Sequence, residues 1–93
     1  MEDNNVYVGI NEYKYGRMIM SHMSSPNIDA LHKMADSLGL KREWFQNKKL
    51  HPHYDIRKGT KIKAISLGAI LVSDKDLIRK CYHTSVETTI NNI

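Results

Sequence analysis

Ninety-three residues, 41% hydrophobic and 26% charged, describe one small domain with a modest core, far from the composition of disordered chains. The formal charge of +4 favours anionic partners: nucleotides, nucleic acid or acidic protein surfaces. A single cysteine, Cys81, excludes an intrachain disulfide and a multi-cysteine zinc site. No apolar run approaches the length of a membrane span, and the acidic start Met1-Glu2-Asp3-Asn4-Asn5 is unlike a signal peptide, so a reducing, cytoplasmic setting is expected. A core of this size leaves a narrow net stability, which self-association into a homo-oligomer would supplement.

Val6-Tyr7-Val8-Gly9-Ile10 reads as a first strand, rich in β-branched and aromatic residues. Asn11 to Gly16 reads as a connection. The nearly unbroken apolar run from Arg17 to Met23 then suits a second, well-buried strand with His22 near its end. Ser24-Ser25-Pro26-Asn27 is a helix-start signal, followed at helical spacing by Ile28, Leu31, Ala35 and Leu38. Gly39 closes that helix in the left-handed position, with Leu40 folding back onto the last turn.

Lys41 to Gln46 suggests a short helical turn with Trp44 and Phe45 facing inward, and Asn47 to Tyr54 a loop, because Pro52 blocks a ladder hydrogen bond. Asp55 or Thr60 is expected to cap a second helix that buries Ile62, Ile65 and Ala69. Ile70-Leu71-Val72 reads as a short buried strand. Ser73-x-x-Asp76 resembles a capping box opening a last helix with Leu77, Ile78 and Cys81 on its apolar face. The tail, residues 84–93, turns polar and suits a flexible end or an edge strand. Together these elements imply a single small α/β domain with its core in 6–83: a mainly three-stranded sheet, a helical crossover and about three helices. The crossover makes the second and third strands a parallel pair in the simplest arrangement.

The chemistry concentrates in His51-Pro52-His53-Tyr54-Asp55. In an extended chain His53 and Asp55 project to the same side, where the carboxylate would orient the imidazole and raise its basicity. That pairing serves a general base or a metal ligand equally well. His22 and His32 lie close in sequence on a strand end and a helix start, so His22, His32, His53 and Asp55 could share one pocket and offer a mixed imidazole–carboxylate set to a divalent metal. Their spacing matches no established zinc motif, and His32, on the border of an apolar face, equally suits a packed core position. Arg17, Arg42, Arg57 and Lys61 are candidate anion contacts, with Arg57 to Lys61 opening a helix whose free amides favour phosphate. The glycines are isolated, which excludes a phosphate-binding glycine loop.

The ordered set Gly16-Arg17, His22-Met23, Leu31-His32, Leu38-Gly39-Leu40-Lys41-Arg42, Trp44-Phe45-Gln46, His53-Tyr54-Asp55, Ala64, Leu67-Gly68-Ala69 and Val72 resembles a small family of uncharacterised bacterial and phage proteins, a domain of unknown function. Two positions depart from the family's pattern. Gly9 stands where an aspartate often follows the first strand, and Lys61-Ile62 where a Lys-Arg pair precedes the alanine. The missing aspartate weakens any metal-nuclease reading that would need it. The resemblance implies a polar site of histidines, arginine and the His-Tyr-Asp segment, and brings no activity. A free-standing version would suit a phage accessory protein in the host cytoplasm, an anti-defence role on a host nucleotide signal.

Three functional readings follow. In the first, His22, His53 and Tyr54 contact a small phosphorylated or nucleotide-like ligand while Arg17, Arg42 and Arg57 neutralise it. The second is a phosphodiesterase-like hydrolase with His53 as base, oriented by Asp55, and His22 as acid. The third is a nucleic-acid or protein-binding module on the basic face.

Overall fold

The apolar run after Arg17 becomes the centre of the sheet. In a computed structural model describing residues 3–47 and 51–82, it forms β3 (Met18–Ser24), which has neighbours along both edges. One edge is shared by two short strands, β1 (Tyr7–Gly9) against the end of β3 and β2 (Tyr13–Tyr15) against its start, both antiparallel. The other edge pairs, also antiparallel, with β4 (Tyr54–Arg57). β5 (Ile70–Val72) lies parallel to β1 on its outer side. The expected α/β class is therefore what forms, with five strands and three helices: α1 (Ile28–Ser37), α2 (Lys58–Ser66) and α3 (Asp74–Cys81). A 3-10 turn spans Arg42–Trp44.

Two strands were not expected: β2 lies in the segment that reads as a connection, and β4 takes the last residue of the expected loop and the expected start of the second helix. β2 and β3 make a hairpin closed by Gly16 and Arg17, since Tyr15 pairs directly with Met18. Gly16 has φ +62°, the positive angle that such a two-residue loop demands at its first position. β4 follows the Pro52 loop and alternates buried Tyr54 and Ile56 with partly exposed Asp55 and exposed Arg57. Asp55 is thus a strand residue and caps no helix. α2 begins directly at the end of β4 with no side-chain cap.

The expected parallel pairing of the second and third long strands does not occur. β1 lies between β3 and β5 and takes β5 as its own parallel partner. As an edge strand, β5 leaves Ile70 and Leu71 exposed rather than buried.

Strand alternation sorts the sheet's side chains onto two faces. Val8, Met23, Tyr54 and Ile56 point to one, where Leu31 and Ala35 of α1, Ala64 of α2 and Ala69 close the core. Asn27 caps α1 by accepting from the Asp29 and Ala30 amides at 3.0 and 3.2 Å. Gly39 sits at φ +75° beyond its end, and the Leu40 amide donates back to the Ala35 carbonyl at 2.9 Å, as the spacing predicts. Ile28, expected in the stripe, is exposed.

α2 departs further from expectation. Ile62 (62% exposed) and Ile65 face out, and Lys61 and Ala64 face in. The junction with β4 fixes this phase, and Lys61 exploits it: its ammonium donates to Ser21 Oγ at 3.0 Å and to the Ile10 carbonyl at 3.3 Å. α3, capped by Ser73 as its capping box implies, packs Leu77 against the opposite face of the sheet. His83, the expected end of the core, and the tail, residues 84–93, lie outside the described residues.

Candidate functional site: a histidine–carboxylate centre on the α3 face

The face opposite the α1–α2 core carries His22 and Asp55, which are directly paired across β3 and β4. Residues directly opposite in an antiparallel pair hold their side chains within contact range, so this register alone joins the two groups. His53 lies two residues before Asp55 and projects to the same face. Its backbone is held by reciprocal hydrogen bonds with Gln46 at 2.9 and 3.1 Å.

The result is a tight convergence on one oxygen. His22 Nε2 lies 3.5 Å and His53 Nε2 3.3 Å from Asp55 Oδ1. The three donor atoms all fall within 4.8 Å of one another. Asp55 is further fixed by hydrogen bonds from the Tyr13 hydroxyl and the Gln46 amide. Tyr13 also stands edge-on to His22, with ring centroids 4.9 Å apart.

Burial differs sharply across the group. His53 is 5% exposed and its Nδ1 faces the His51 carbonyl at 2.7 Å, whereas His22 is only partly buried. Desolvation, reinforced by the neighbouring His53 ring, pulls the His22 imidazole below its ordinary pKa and favours its neutral form. Burial and the Asp55 carboxylate together push the Tyr13 phenol well above its usual value, so it remains a donor to Asp55.

α3 adds two more polar groups. Gly9 follows Val8 in the β1–β3 register, which sets it beside His22. A Cβ at Gly9 would collide with Asp74 Oδ1 and stand 3.8 Å from the His22 carbonyl oxygen. Asp74, from the first turn of α3, thus fills the space that Gly9 leaves. Its Oδ1 is buried without a hydrogen-bond partner among the described residues, as is the hydroxyl of Tyr82, a residue 6% exposed whose ring meets His51. Burial pushes the Tyr82 phenol up to about 12.

The remaining candidates distribute as follows. Tyr54 neighbours Asp55 and therefore points to the other side of the sheet, where its hydroxyl meets His32 Nδ1 at 2.8 Å and its ring packs with Phe45. His32 consequently does not join His22, His53 and Asp55, and the pocket in which all four converge does not form. Arg42 is exposed and paired with Asp36 by contacts of 3.1 and 3.3 Å, near His32 and away from the centre. Lys61 is buried beneath the same core face. Arg57 shares the face and strand of Asp55, is exposed, and makes no ion pair among the described residues. Arg17 is exposed at the hairpin turn. Trp44, expected to face inward, is 51% exposed.

A groove of about 710 Å³ shares Asp55 and Gln46 with the centre and is also lined by Tyr15, Trp44 and Arg57, whereas His22 and His53 are not among its lining residues. Its size is that of a small-ligand cleft. The alternation in Tyr54-Asp55-Ile56-Arg57 is the local signal for β4, whereas its pairing with His22 is set by the long-range register of β3 and β4. Nothing local marked Tyr13, Gln46, Asp74 or Tyr82, which enter through long-range pairing. No helix among the described residues is long and apolar enough to cross a membrane.

A family model described as "Protein of unknown function (DUF4031)" matches residues 6–84. No curated protein and no solved structure matches the chain.

Proposed function

The chain belongs to this family of unknown function, so its chemistry has to be read from the site, and we propose that it hydrolyses a small phosphorylated, nucleotide-like compound at the His22–Asp55–His53 centre. One observation carries this reading: two imidazoles, one on β3 and one just ahead of β4, converge on a carboxylate that is itself held by Tyr13 and Gln46. A fixed carboxylate flanked by imidazoles is suited to moving a proton.

Exposure assigns the parts. His22, the more accessible ring and the one kept neutral, takes a proton from water as the water oxygen bonds to phosphorus. The phosphorus–oxygen bond to the leaving group breaks, and His22 returns the proton to the leaving oxygen. Asp55 orients His22 and balances the transient imidazolium. His53, enclosed, positions Asp55. Arg57, on the same face and without an acidic partner among the described residues, neutralises phosphate, and Trp44 and Tyr15 give a base surfaces to stack on. The net positive charge favours such a substrate.

The test is turnover of a panel of nucleotides and aryl phosphodiesters. His22→Ala is expected to lose on the order of 100-fold or more in kcat, the usual range for removing an acid–base group, while retaining ligand binding. Full activity in that variant, or no turnover of any phosphoester by the native chain, would defeat the reading.

A further inference from the structure

We propose that His22 Nε2, His53 Nε2 and Asp55 Oδ1 form a binding site for one divalent transition metal of the zinc class, with its remaining coordination position open towards His22's exposed side. This stands without the hydrolytic reading, because metal on His22 Nε2 leaves that ring no lone pair with which to take a proton from water.

The first argument is the direction of lone pairs. The His51 carbonyl can only accept, so His53 Nδ1 carries the proton in their 2.7 Å contact. In the neutral ring Nε2 then presents a lone pair to an oxygen of Asp55, which presents lone pairs of its own. His22 Nε2 approaches the same oxygen. A proton can bridge two of these atoms, whereas one metal ion satisfies all three.

The second argument is size, which agrees for two of the three edges. Metal–nitrogen and metal–oxygen bonds of about 2.0–2.2 Å at tetrahedral angles place ligand atoms roughly 3.3–3.6 Å apart. The two nitrogen–oxygen separations are 3.3 and 3.5 Å, and all three ligand atoms lie within 4.8 Å of one another. The third is support. A ligating histidine characteristically donates its other N–H to a carbonyl, and a ligating carboxylate is itself hydrogen-bonded. His53 has the His51 carbonyl, and Asp55 has Tyr13 and Gln46. Tyr13 and Asp55 sit on paired strands, and His53 and Gln46 are joined by a backbone bridge, so little ordering remains for binding to accomplish.

An unpartnered polar atom supplies the fourth. Asp74 Oδ1, in the place of a Gly9 side chain beside His22, lacks a partner among the described residues. Three protein ligands with a vacant position are the pattern of reactive rather than structural metal centres.

The experiment is Co²⁺ and Zn²⁺ titration of the full chain after chelator treatment, read by calorimetry and by visible absorption of the cobalt form. One ion per chain is expected. His22→Ala, a partly exposed position whose folding is checked by circular dichroism, is expected to weaken affinity at least 100-fold, and His32→Ala, across the sheet, to leave it within about threefold. Asp74→Asn is expected to bind metal within about tenfold of native. Absence of saturable binding by the folded chain, or equal affinity in His22→Ala, would overturn the site. Metal binding without phosphoester turnover would uphold this site and defeat the hydrolytic reading, and turnover by a chain that binds no metal would do the reverse.

Discussion

Lys61 is the sharpest test of how this fold assigns roles, because a lysine at a helix start beside Arg57 looks like a phosphate contact and instead lies 9% exposed beneath the sheet. Its ammonium has no acidic partner among the described residues and relies on Ser21 Oγ at 3.0 Å and the Ile10 carbonyl at 3.3 Å. Lys61→Ala removes three methylenes from the interior, a loss of about 2 kcal/mol at ~0.8 kcal/mol each. It also deprives the buried Ser21 hydroxyl of a charged donor, worth about 1.5–3 kcal/mol. Release of the ammonium from its desolvated position offsets part of both, leaving a net destabilisation of about 2–3 kcal/mol. In a domain of this size that is a fall in Tm of roughly 10 °C or more. Lys61→Met keeps the stem and discards the buried charge, so its stability should stay within about 1 kcal/mol of native. Urea unfolding of the three proteins measures these differences, with turnover and metal affinity of the folded variants expected to be unchanged. A Lys61→Ala chain of native stability that no longer binds ligand would refute the reasoning and return Lys61 to the site.

Four other outcomes follow from the same geometry. Tyr54→Phe removes the partner of His32 Nδ1 and should cost about 1 kcal/mol in stability, with metal affinity unaltered because the pair lies across the sheet from Asp55. Arg57→Gln should raise KM for a phosphorylated substrate about tenfold with a smaller change in kcat, whereas Arg42→Gln, already paired with Asp36, should change neither. Burial pushes the Cys81 thiol to about 12, so the native chain should resist alkylation at pH 8 while the unfolded chain reacts fully. The same shift sets alkaline stability. Cys81 and Tyr82, both raised to about 12 in the folded state from ordinary values of 9.0 and 10.0, contribute stability that is complete below their unfolded values and drains away as pH climbs through 9 towards 12. Cys81→Ala should flatten that slope in pH-dependent urea unfolding.

How legible the protein is from its sequence varies by element. The first helix was readable because Asn27, Leu31, Ala35 and Gly39 carry their own start, face and stop signals, and Ser73 marks the last helix in the same way. The hairpin at Gly16 was masked by the polar residues of Asn11 to Lys14, and β4 by a carboxylate that looks equally like a helix cap. The α2 face was misread because Ile62 and Ile65 are apolar, yet its phase is dictated by where β4 ends. In the site, the i, i+2 relation of His53 and Asp55 is local and could be read. The partnership with His22 depends on a register between distant strands, and the exclusion of His32 depends on Tyr54 facing away from Asp55. Asp74 enters through the absence of a side chain at Gly9, which no local pattern announces.

The account's central claim is that His22, His53 and Asp55 act as one centre. Anomalous diffraction from a Zn²⁺-soaked crystal tests it most directly. One strong peak within about 2.0–2.2 Å of His22 Nε2, His53 Nε2 and Asp55 Oδ1 is the expected result. At saturating zinc, a peak on other residues with these three side chains in place, or none at all, would contradict it.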